Sequence, residues 1–273
     1  MSPSGSLVLD SITHMTAEAR GRVVVAGSHC APFAAALALG QPMPGVIMND
    51  AGVGRDEAGI TGLADLEQAG MPAAVVAHTS ARIGDGADCL ARGVVSHLND
   101  AARRACIDVG QSAREVAEVM AGLPVVEAAP PEVSPEQRTV SHPSGARRPL
   151  VVVDSASLVV PEDAGAVVVT GSHGGLLGGR AEWAIKAPVF AAAYNDAGGG
   201  IDGAGMTRLP VLQARGIAGV VVDAFTARIG DGASTLDDGV ISHANDVAAA
   251  LGAKPGMPLR AFVALAVAVD ATP

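Results

Sequence analysis

The chain has 273 residues, of which 49 % are hydrophobic, 17 % are charged and only 2 % are aromatic. This apolar content is sufficient for a sizeable core, and it excludes a chain that is disordered over most of its length. With 18 basic and 28 acidic residues the formal charge is −10, which argues against the basic surface that nucleic-acid-binding proteins use to neutralise phosphates.

The sequence also lacks the features of a membrane or secreted protein. No stretch of about 20 apolar residues runs without interruption by Gly, Pro or a charged residue, so no membrane span is predicted. The N-terminus MSPSGSLVLD has no basic region followed by a long apolar run, unlike a signal peptide. Three cysteines without zinc-type spacing argue against structural zinc and against a disulfide framework. We therefore expect a soluble, cytoplasmic protein.

Short apolar runs alternate with helix-like segments along the chain. In the first half the predicted strands are LVLD, RVVVA, GVIM and PAAVVA. In the second half they are 150–154, 166–170, 188–194 and 217–223. Predicted helices lie around 111–121, 176–186, 202–215, 240–251 and 258–268. Strands that alternate with helices indicate an α/β fold, with mainly parallel sheets and helices outside them.

Residues 124–149 separate the two halves and contain six prolines. Such a composition is typical of an extended linker that forms little helix. The predicted organisation is a first α/β unit at 1–123, a proline-rich linker at 124–149 and a second α/β unit at 150–273.

The two units are tandem repeats of one another. Residues 49–100 align with 195–246 at an offset of 146, and 28 of the 52 aligned positions are identical. Upstream, GSH at 27–29 aligns with GSH at 171–173 at an offset of 144. Because two copies of so long a period do not form a solenoid, we expect two duplicated lobes related by a pseudo-two-fold axis.

Three polar segments follow predicted strands in each repeat, namely GSH, NDAGxG and ARIGDG. Ligands in parallel α/β sheets bind beyond the carboxyl ends of the strands, so these segments predict one binding crevice. For each segment alone, the alternative is turn and helix-cap chemistry, in which Asn, Asp and Gly are the usual residues.

The GSHGG segment of the second repeat joins a strand to a predicted helix. Its backbone amides, including those of Gly174 and Gly175, are a candidate anion-binding nest. Ser172 and His173 are candidate catalytic groups, or serve as caps. The first repeat has GSHCAP instead, where a small buried residue is a better interpretation of Cys30 than a nucleophile.

The NDAGxG segment supplies two further candidates. Asn195 would bind substrate, and Asp196 would act as a base, bind a substrate hydroxyl or hold a metal. The glycine spacing resembles a dinucleotide fingerprint only loosely, so no organic cofactor is predicted. The metal alternative is Mg²⁺ or Mn²⁺ held by Asp196 and Asp231, for which two carboxylates are a weak signal.

The ARIGDG segment is the least generic of the three. Arg228 could clamp a substrate carboxylate or phosphate, with Asp231 beside it. The alternative is an Arg–Asp pair that braces the loop, as Arg82 and Asp85 would in the first repeat. Downstream, SHxND is predicted to lie on a helix, where His243 would share a face with the Asp three residues on and act as an acid or base. A polar contact between the repeats explains this last motif equally well.

The second repeat is the richer in reactive groups. It alone contains a tyrosine, Tyr194, and a tryptophan, Trp183. Lys186 and Asp223 also lie there, and the first repeat has Ala77 at the position of Asp223. We therefore expect the working crevice in the second repeat.

These groups predict an enzyme that acts on a small polar, anionic metabolite. The first reading is a cofactor-free hydrolase with Ser, His and Asp groups on strand-end loops and Arg228 as the anion clamp. An isomerase or lyase would use the same groups, and a metabolite-binding or regulatory protein would use the same crevice without turnover. A purely structural subunit is the function that the sequence favours least. The apolar helix at 258–268 must be buried by the other lobe or by another subunit, which suggests a homo-oligomer.

Overall fold

The computed structural model describes residues 5–270, which form two lobes that are each built on one sheet. The first lobe has its strands in sequential order: β1 (Ser6–Leu9), β2 (Val23–His29), β3 (Val46–Asn49), β4 (Ala73–Val76) and β5 (Val95–Leu98). Strands β1 to β4 are parallel, and β5 pairs antiparallel with β4.

The second lobe repeats this arrangement and adds one strand. Its strands are β6 (Arg138–Ser141), β7 (Leu150–Val153), β8 (Val167–His173), β9 (Ala191–Asn195), β10 (Ala218–Val222) and β11 (Ile241–Ala244). Strands β7 to β10 are parallel, while β6 and β11 are antiparallel at the two edges. The added strand β6 comes from the proline-rich linker. The prediction of two α/β lobes with mainly parallel sheets is confirmed.

Short helices flank both sheets. In residues 5–270 they are α1 (Pro32–Leu39), α2 (Gly62–Gln68), α3 (Gly86–Arg92), α4 (Asp100–Arg104), α5 (Ala113–Ala121), α6 (Arg208–Ala214), α7 (Gly232–Asp238), α8 (Asp246–Ala250) and α9 (Leu259–Val267). Side chains cap many of them, as where Asn99 and Asn245 accept from the first turns of α4 and α8. None of these helices has both the length and the apolar character needed to cross a bilayer.

The predicted helix at 176–186 is wrong. Only two 3-10 turns occur there, at Leu177–Gly179 and Ala181–Trp183. Gly178 and Gly179 adopt φ values of 57° and 68°, which interrupt a right-handed helix. The amide of Gly178 instead donates to the carbonyl of Gly84 in the other lobe at 2.8 Å.

The predicted helix at 240–251 is wrong in its first half. Residues 241–244 form β11, in which His243 pairs with Val221 of β10. The side chain of Asn245 accepts from Gly219 at 3.0 Å and donates to Ile217 at 2.9 Å, so it braces the end of the sheet while it caps α8. His243 and Asp246 therefore do not share a helical face.

Each sheet is buried on both faces. The Val- and Ala-rich strands belong to four apolar clusters, two in each lobe, which also take in the helices outside the sheets. Near-continuous apolar runs are the pattern expected of parallel strands covered on both sides.

The lobes face each other through the carboxyl ends of their parallel strands. A buried apolar cluster joins them, with three residues from each lobe at matching positions: Ala51 and Ala197, Ala58 and Ala204, Ile83 and Ile229. Two further backbone hydrogen bonds between the lobes are each 2.8 Å long, from Arg55 to Ala224 and from Ile201 to His78. The partners in the second bond match those in the first at an offset of 146, so the contact is reciprocal.

The centre of this contact has no room for side chains. A Cβ atom on Gly52 would lie 2.9 Å from the Cα of Gly198, and one on Gly198 would lie 3.0 Å from the Cα of Gly52. The backbone from Ala197 to Gly200 carries four consecutive positive φ angles, between 50° and 75°. Glycine tolerates this region, whereas other residues are strained by about 1–2 kcal/mol each.

Gly199 tests how much this backbone conformation contributes. Its φ is 75° and a Cβ atom there would meet nothing within 4 Å, so Gly199→Ala adds strain without a clash. We expect the substitution to lower the free energy of unfolding by about 1 kcal/mol, measured by urea denaturation. The control is Gly122→Ala, where φ is −88° and no loss is expected. Equal stabilities of the two variants would contradict the assignment of strain to this loop.

Candidate functional site

A cleft of about 400 Å³ opens between the lobes. The first lobe contributes His29 and Asp56 to its walls, the second lobe contributes His173, Arg208 and Arg228, and the linker contributes Glu136. A cleft of this volume suits a small-molecule ligand. We refer to this space below as the cleft.

Four of the nine residues predicted for the site line the cleft: Ser172, His173, Arg228 and Asp231. Five lie outside the lining: Gly174, Gly175, Asn195, Asp196 and His243. The cleft also draws on both lobes, whereas the sequence comparison favoured the second lobe alone.

His29 and His173 occupy matching positions at the ends of β2 and β8 and reach the same cleft. Burial lowers the pKa of His29 to about 4. Burial, with the nearby Arg208 as a further cause, lowers the pKa of His173 well below its usual value. Both imidazoles are therefore neutral at pH 7.

The hydrogen bonds of the two rings differ. Nδ1 of His173 accepts the amide of Gly175 at 3.2 Å. Because an accepting nitrogen carries no proton, neutral His173 holds its proton on Nε2 and can donate it from there. Nδ1 of His29 is buried without a hydrogen-bond partner among residues 5–270.

The two serines beside these histidines make matching structural contacts. Oγ of Ser28 accepts the amide of Ile12, and Oγ of Ser172 accepts the amide of Ala156, both at 2.9 Å. Within the described chain neither hydroxyl bonds to a histidine ring. The arrangement thus has no Ser–His pair of the kind that activates a serine nucleophile.

The GSHGG amides are already engaged within the protein. The amide of Gly174 donates to the carbonyl of Asn195 at 2.8 Å, and that of Gly175 donates to His173. No α-helix follows, so the helix dipole expected to support an anion nest is missing here. These two amides do not form the predicted nest.

Asn195 and Asp196 hold their own loop in shape. Oδ1 of Asn195 accepts the amide of Ala197 at 2.9 Å, and its Nδ2 donates to the carbonyl of Ala227 at 3.1 Å. Oδ1 of Asp196 accepts the amides of Gly198 and Ala224, each at 3.0 Å. The first lobe repeats these contacts, which supports the turn-chemistry alternative for this motif.

The first lobe adds a histidine to its copy of this loop. Nδ1 of His78 lies 2.9 Å from Oδ1 of Asp50, and the Ser96 hydroxyl donates to Oδ2 at 2.8 Å. These donors outweigh burial and hold the pKa of Asp50 below its usual value. The ring of His78 packs over Gly198 at the contact between the lobes, outside the cleft.

Arg228 and Asp231 form the predicted bracing pair and extend it across the lobes. Nη2 of Arg228 donates to Oδ2 of Asp231 at 2.9 Å, and its Nη1 donates to Oδ2 of Asp56 at 3.2 Å. The matching contact joins Arg82 to Asp202 at 2.8 Å. Two carboxylates thus already compensate the charge of Arg228. The arginine of the ARIGDG motif in the first lobe makes the same bridge between the lobes.

His243 lies apart from the other candidates. It is exposed on the edge strand β11, and its ring makes no hydrogen bond to any described residue. The structure brings it together with none of the groups in the cleft lining.

Arg208 is a cleft residue that the sequence analysis missed. It is only 4 % exposed, and no carboxylate pairs with it in the described chain. Its Nε donates to the carbonyl of Gly175 at 3.0 Å and its Nη1 to that of Trp183 at 2.8 Å. Its guanidinium carbon lies 4.9 Å from the ring centroid of Tyr194. A signal for this residue was present, because the repeat alignment sets Arg208 opposite a glycine.

Two further carboxylates, those of Asp154 and Glu136, line the cleft. Asp154 follows β7, where its two oxygens accept the amides of Gly232 at 3.0 Å and Gln137 at 2.7 Å. Burial, and secondarily the negative charge of Asp154, raises the pKa of Glu136. A positive group next to these two side chains would stabilise both carboxylates in their charged form.

The crevice that matches the cleft on the other side of the lobe contact is closed. There the segment after β8 folds over Gly84, whose carbonyl accepts the amide of Gly178. A Cβ atom on Gly178 would lie 2.4 Å from Oδ2 of Asp10, so the segment also packs closely against that side chain. In the first lobe α1 starts at Pro32, soon after β2, and leaves the corresponding space open.

No group of three or more His, Cys, Asp or Glu side chains in residues 5–270 is arranged to hold a metal ion. The two carboxylates suggested for Mg²⁺ or Mn²⁺ are separated in role, since Asp231 lines the cleft and Asp196 does not.

No protein-family model matches the chain, and neither a curated protein nor a solved structure matches it.

The buried histidines predict how stability depends on pH. The folded pKa of His29 is about 4, below the unfolded value of 6.5, so the stability that its neutral ring contributes is fully present above pH 6.5 and is lost as pH falls toward 4. We expect His29 to account for a loss of roughly 1–2 kcal/mol in the free energy of unfolding between pH 7.5 and 5, measured by urea denaturation. The His29→Gln variant should lack this part of the loss. The control His243→Gln alters an exposed ring and leaves the slope unchanged. Identical slopes in all three proteins would contradict the buried, neutral state of His29.

The cysteines offer a second check on burial, since Cys30 stands in the chain between the lining residues His29 and Ala31. Burial raises the pKa of the Cys30 thiol, and that of Cys89 to about 12, whereas Cys106 is exposed. Since the thiolate is the reactive form, iodoacetamide at pH 8 is expected to label Cys106 alone in the native protein. Mass spectrometry of the digested protein gives the site of labelling, and denatured protein is the control for the other two. Rapid native labelling of Cys30 would be the contrary result.

Proposed function

We propose that the cleft is the active site of an enzyme that acts on a small polar, anionic metabolite by acid–base chemistry. The observation that carries the proposal is the pair of neutral histidines, one from each lobe, in one inter-lobe cleft. Of the chemistries expected from the sequence, proton transfer that isomerises the substrate is the one this pair supports best.

The two histidines fit complementary roles. Nε2 of His173 carries the only proton of the neutral ring and would donate a hydrogen bond to a substrate oxygen, because its Nδ1 accepts the amide of Gly175. His29 would take a proton from a substrate carbon and become an imidazolium. The imidazolium then returns a proton to carbon, so the substrate is isomerised without an oxidant, a reductant or a leaving group. Both rings end in their starting forms, and exchange of the imidazolium with solvent before the return brings a solvent proton into the product.

The low pKa of His29 is compatible with this role when an anion is bound. In the free protein, desolvation alone depresses the pKa. A negative charge in the cleft favours the protonated imidazole and raises its pKa toward neutrality, which is where a general base is most effective.

Hydrolysis through Ser172 has weaker support. Its hydroxyl oxygen accepts a backbone amide, and the matching serine of the first lobe makes the same contact. A residue that performs the same local task in both lobes needs no catalytic role to explain it. The metabolite-binding alternative shares the cleft and differs only in the absence of turnover.

Proton exchange in D₂O tests the proposal directly. The probes are the D and L forms of the common amino acids and of lactate, malate and mandelate, followed by ¹H NMR. We expect the protein to replace the hydrogen next to the carboxylate with deuterium in at least one probe. His29→Gln and His173→Gln should each slow this exchange at least 100-fold, since the first removes the base and the second removes the hydrogen-bond donor that stabilises the charge formed on the substrate.

The matched control is His243→Gln, which removes a histidine that lies outside the cleft and should exchange at the wild-type rate. Binding of the probes is measured in parallel by calorimetry. A probe that binds in the cleft without any exchange would favour the binding protein over the enzyme. Exchange that survives in both cleft-histidine variants would contradict the roles assigned to them.

A further inference from the structure

Arg208 carries a buried positive charge that no carboxylate compensates among the described residues. The side chain is almost fully buried, and burial lowers its pKa, yet an arginine remains charged at neutral pH. Its contacts are neutral: the carbonyls of Gly175, Trp183 and Ala184, and the face of Tyr194. A buried charge without a counter-ion is costly, and an anion in the cleft would relieve that cost.

The comparison of the two lobes gives an independent indication that this arginine has a task. At an offset of 146, Arg208 is opposite Gly62 and Tyr194 is opposite Met48. In the first lobe a Cβ atom on Gly62 would lie 2.7 Å from the carbonyl oxygen of Ala31, so no side chain fits there. Both members of the buried Arg–Tyr pair therefore occur only in the second lobe, although the lobes share their topology.

The remaining charges restrict which anion fits. Four carboxylates line the cleft, those of Asp56, Glu136, Asp154 and Asp231. Arg228 compensates Asp56 and Asp231 by direct contact. Glu136 and Asp154 lack a basic partner in the described residues, so a ligand with two negative charges would be repelled. This disfavours a phosphate monoester and favours a single carboxylate.

The same two carboxylates favour a positive group on the ligand. Asp154 follows β7 and Arg208 begins the helix after β9, and these strands flank β8, which ends at His173. The acidic pair and the arginine thus approach the cleft from the two sides of the strand that carries the histidine. A ligand with a carboxylate at one end and an ammonium group at the other would match both.

On the basis of the function proposed above, we infer that the ligand is a small amino carboxylate. Arg208 binds its carboxylate through the guanidinium group, while Glu136 and Asp154 face its ammonium group. Arg228, which the sequence suggested as the anion clamp, joins the lobes instead and does not select the ligand.

Isothermal titration calorimetry of the wild-type protein tests the class of ligand. The probes are individual D- and L-amino acids, their counterparts without the amino group (propionate for alanine, 4-methylpentanoate for leucine) and inorganic phosphate. We expect at least one amino acid to bind, its counterpart without the amino group to bind at least tenfold more weakly, and phosphate not to compete. Equal binding with and without the amino group, binding of phosphate, or binding of no amino acid would overturn the inference.

Two variants test the residue. Arg208→Met should weaken binding of that amino acid at least 30-fold, whereas Arg82→Met should change it less than threefold. The control removes an arginine of equal charge that is outside the cleft lining and bridges the lobes through Asp202. An equal or larger loss in Arg82→Met would contradict the assignment to Arg208.

A second readout uses the unaltered protein, in case Arg208→Met does not fold. The charge of Arg208 contributes to the low pKa of His173, so a carboxylate that neutralises this charge raises that pKa. Calorimetry at pH 5.5 in buffers with different ionisation enthalpies should therefore show proton uptake on binding. Binding without proton uptake would place the carboxylate away from Arg208 and His173.

These outcomes are distinct from those of the proton-exchange experiment. An amino acid that binds through Arg208 without exchanging its hydrogen supports this inference and refutes the proposed enzyme. Exchange in lactate or malate alone, without any binding of amino acids, supports the enzyme and refutes this inference.

Discussion

The contact between Gly52 and Gly198 sets the distance between the lobes. The absence of a side chain on either residue lets the two loop backbones meet, and this closeness brings Ile83 and Ile229 into one buried cluster. The polar parts of the repeated motifs then serve the same contact: the arginines bridge the lobes, and the asparagines and aspartates hold the loops in the required shape. What looked in the sequence like a concentration of reactive groups is largely the chemistry of this contact.

The chemical character of the cleft follows from that approach of the lobes. Two histidines that would be solvated at the edge of a single sheet become desolvated when the second sheet covers them, and they lose their charge at neutral pH. Arg208 is desolvated too, but it keeps its charge. Neutral proton carriers beside a buried cation form an environment in which the arrival of an anion changes several protonation equilibria at once.

Much of the fold follows from the sequence, because buried parallel strands leave continuous Val and Ala runs that need no tertiary information to recognise. The edge strand at Ile241–Ala244 could not be predicted, because its two central residues are polar and the spacing of its motif also fits a helix; Ser242 is half-buried and His243 is exposed. For the site, the motifs that both repeats share located His173 and Arg228. The repeat alone could not distinguish motifs that hold the lobes together from motifs that carry chemistry. Arg208 was visible in the sequence only as a difference between the repeats. Its burial without a carboxylate partner could not be predicted, because it depends on contacts with residues far away in the chain, such as Trp183.

The unequal ends of β2 and β8 make the two halves complementary. The first half supplies the helix that leaves a crevice open, and the second half supplies the buried arginine that gives this crevice its charge. A molecule assembled from two first halves would have open crevices without the arginine, and one assembled from two second halves would have the arginine beside closed crevices. Near-symmetry therefore builds the frame of the molecule, while the departure from symmetry places the open crevice and the buried arginine together on one side of the lobe contact.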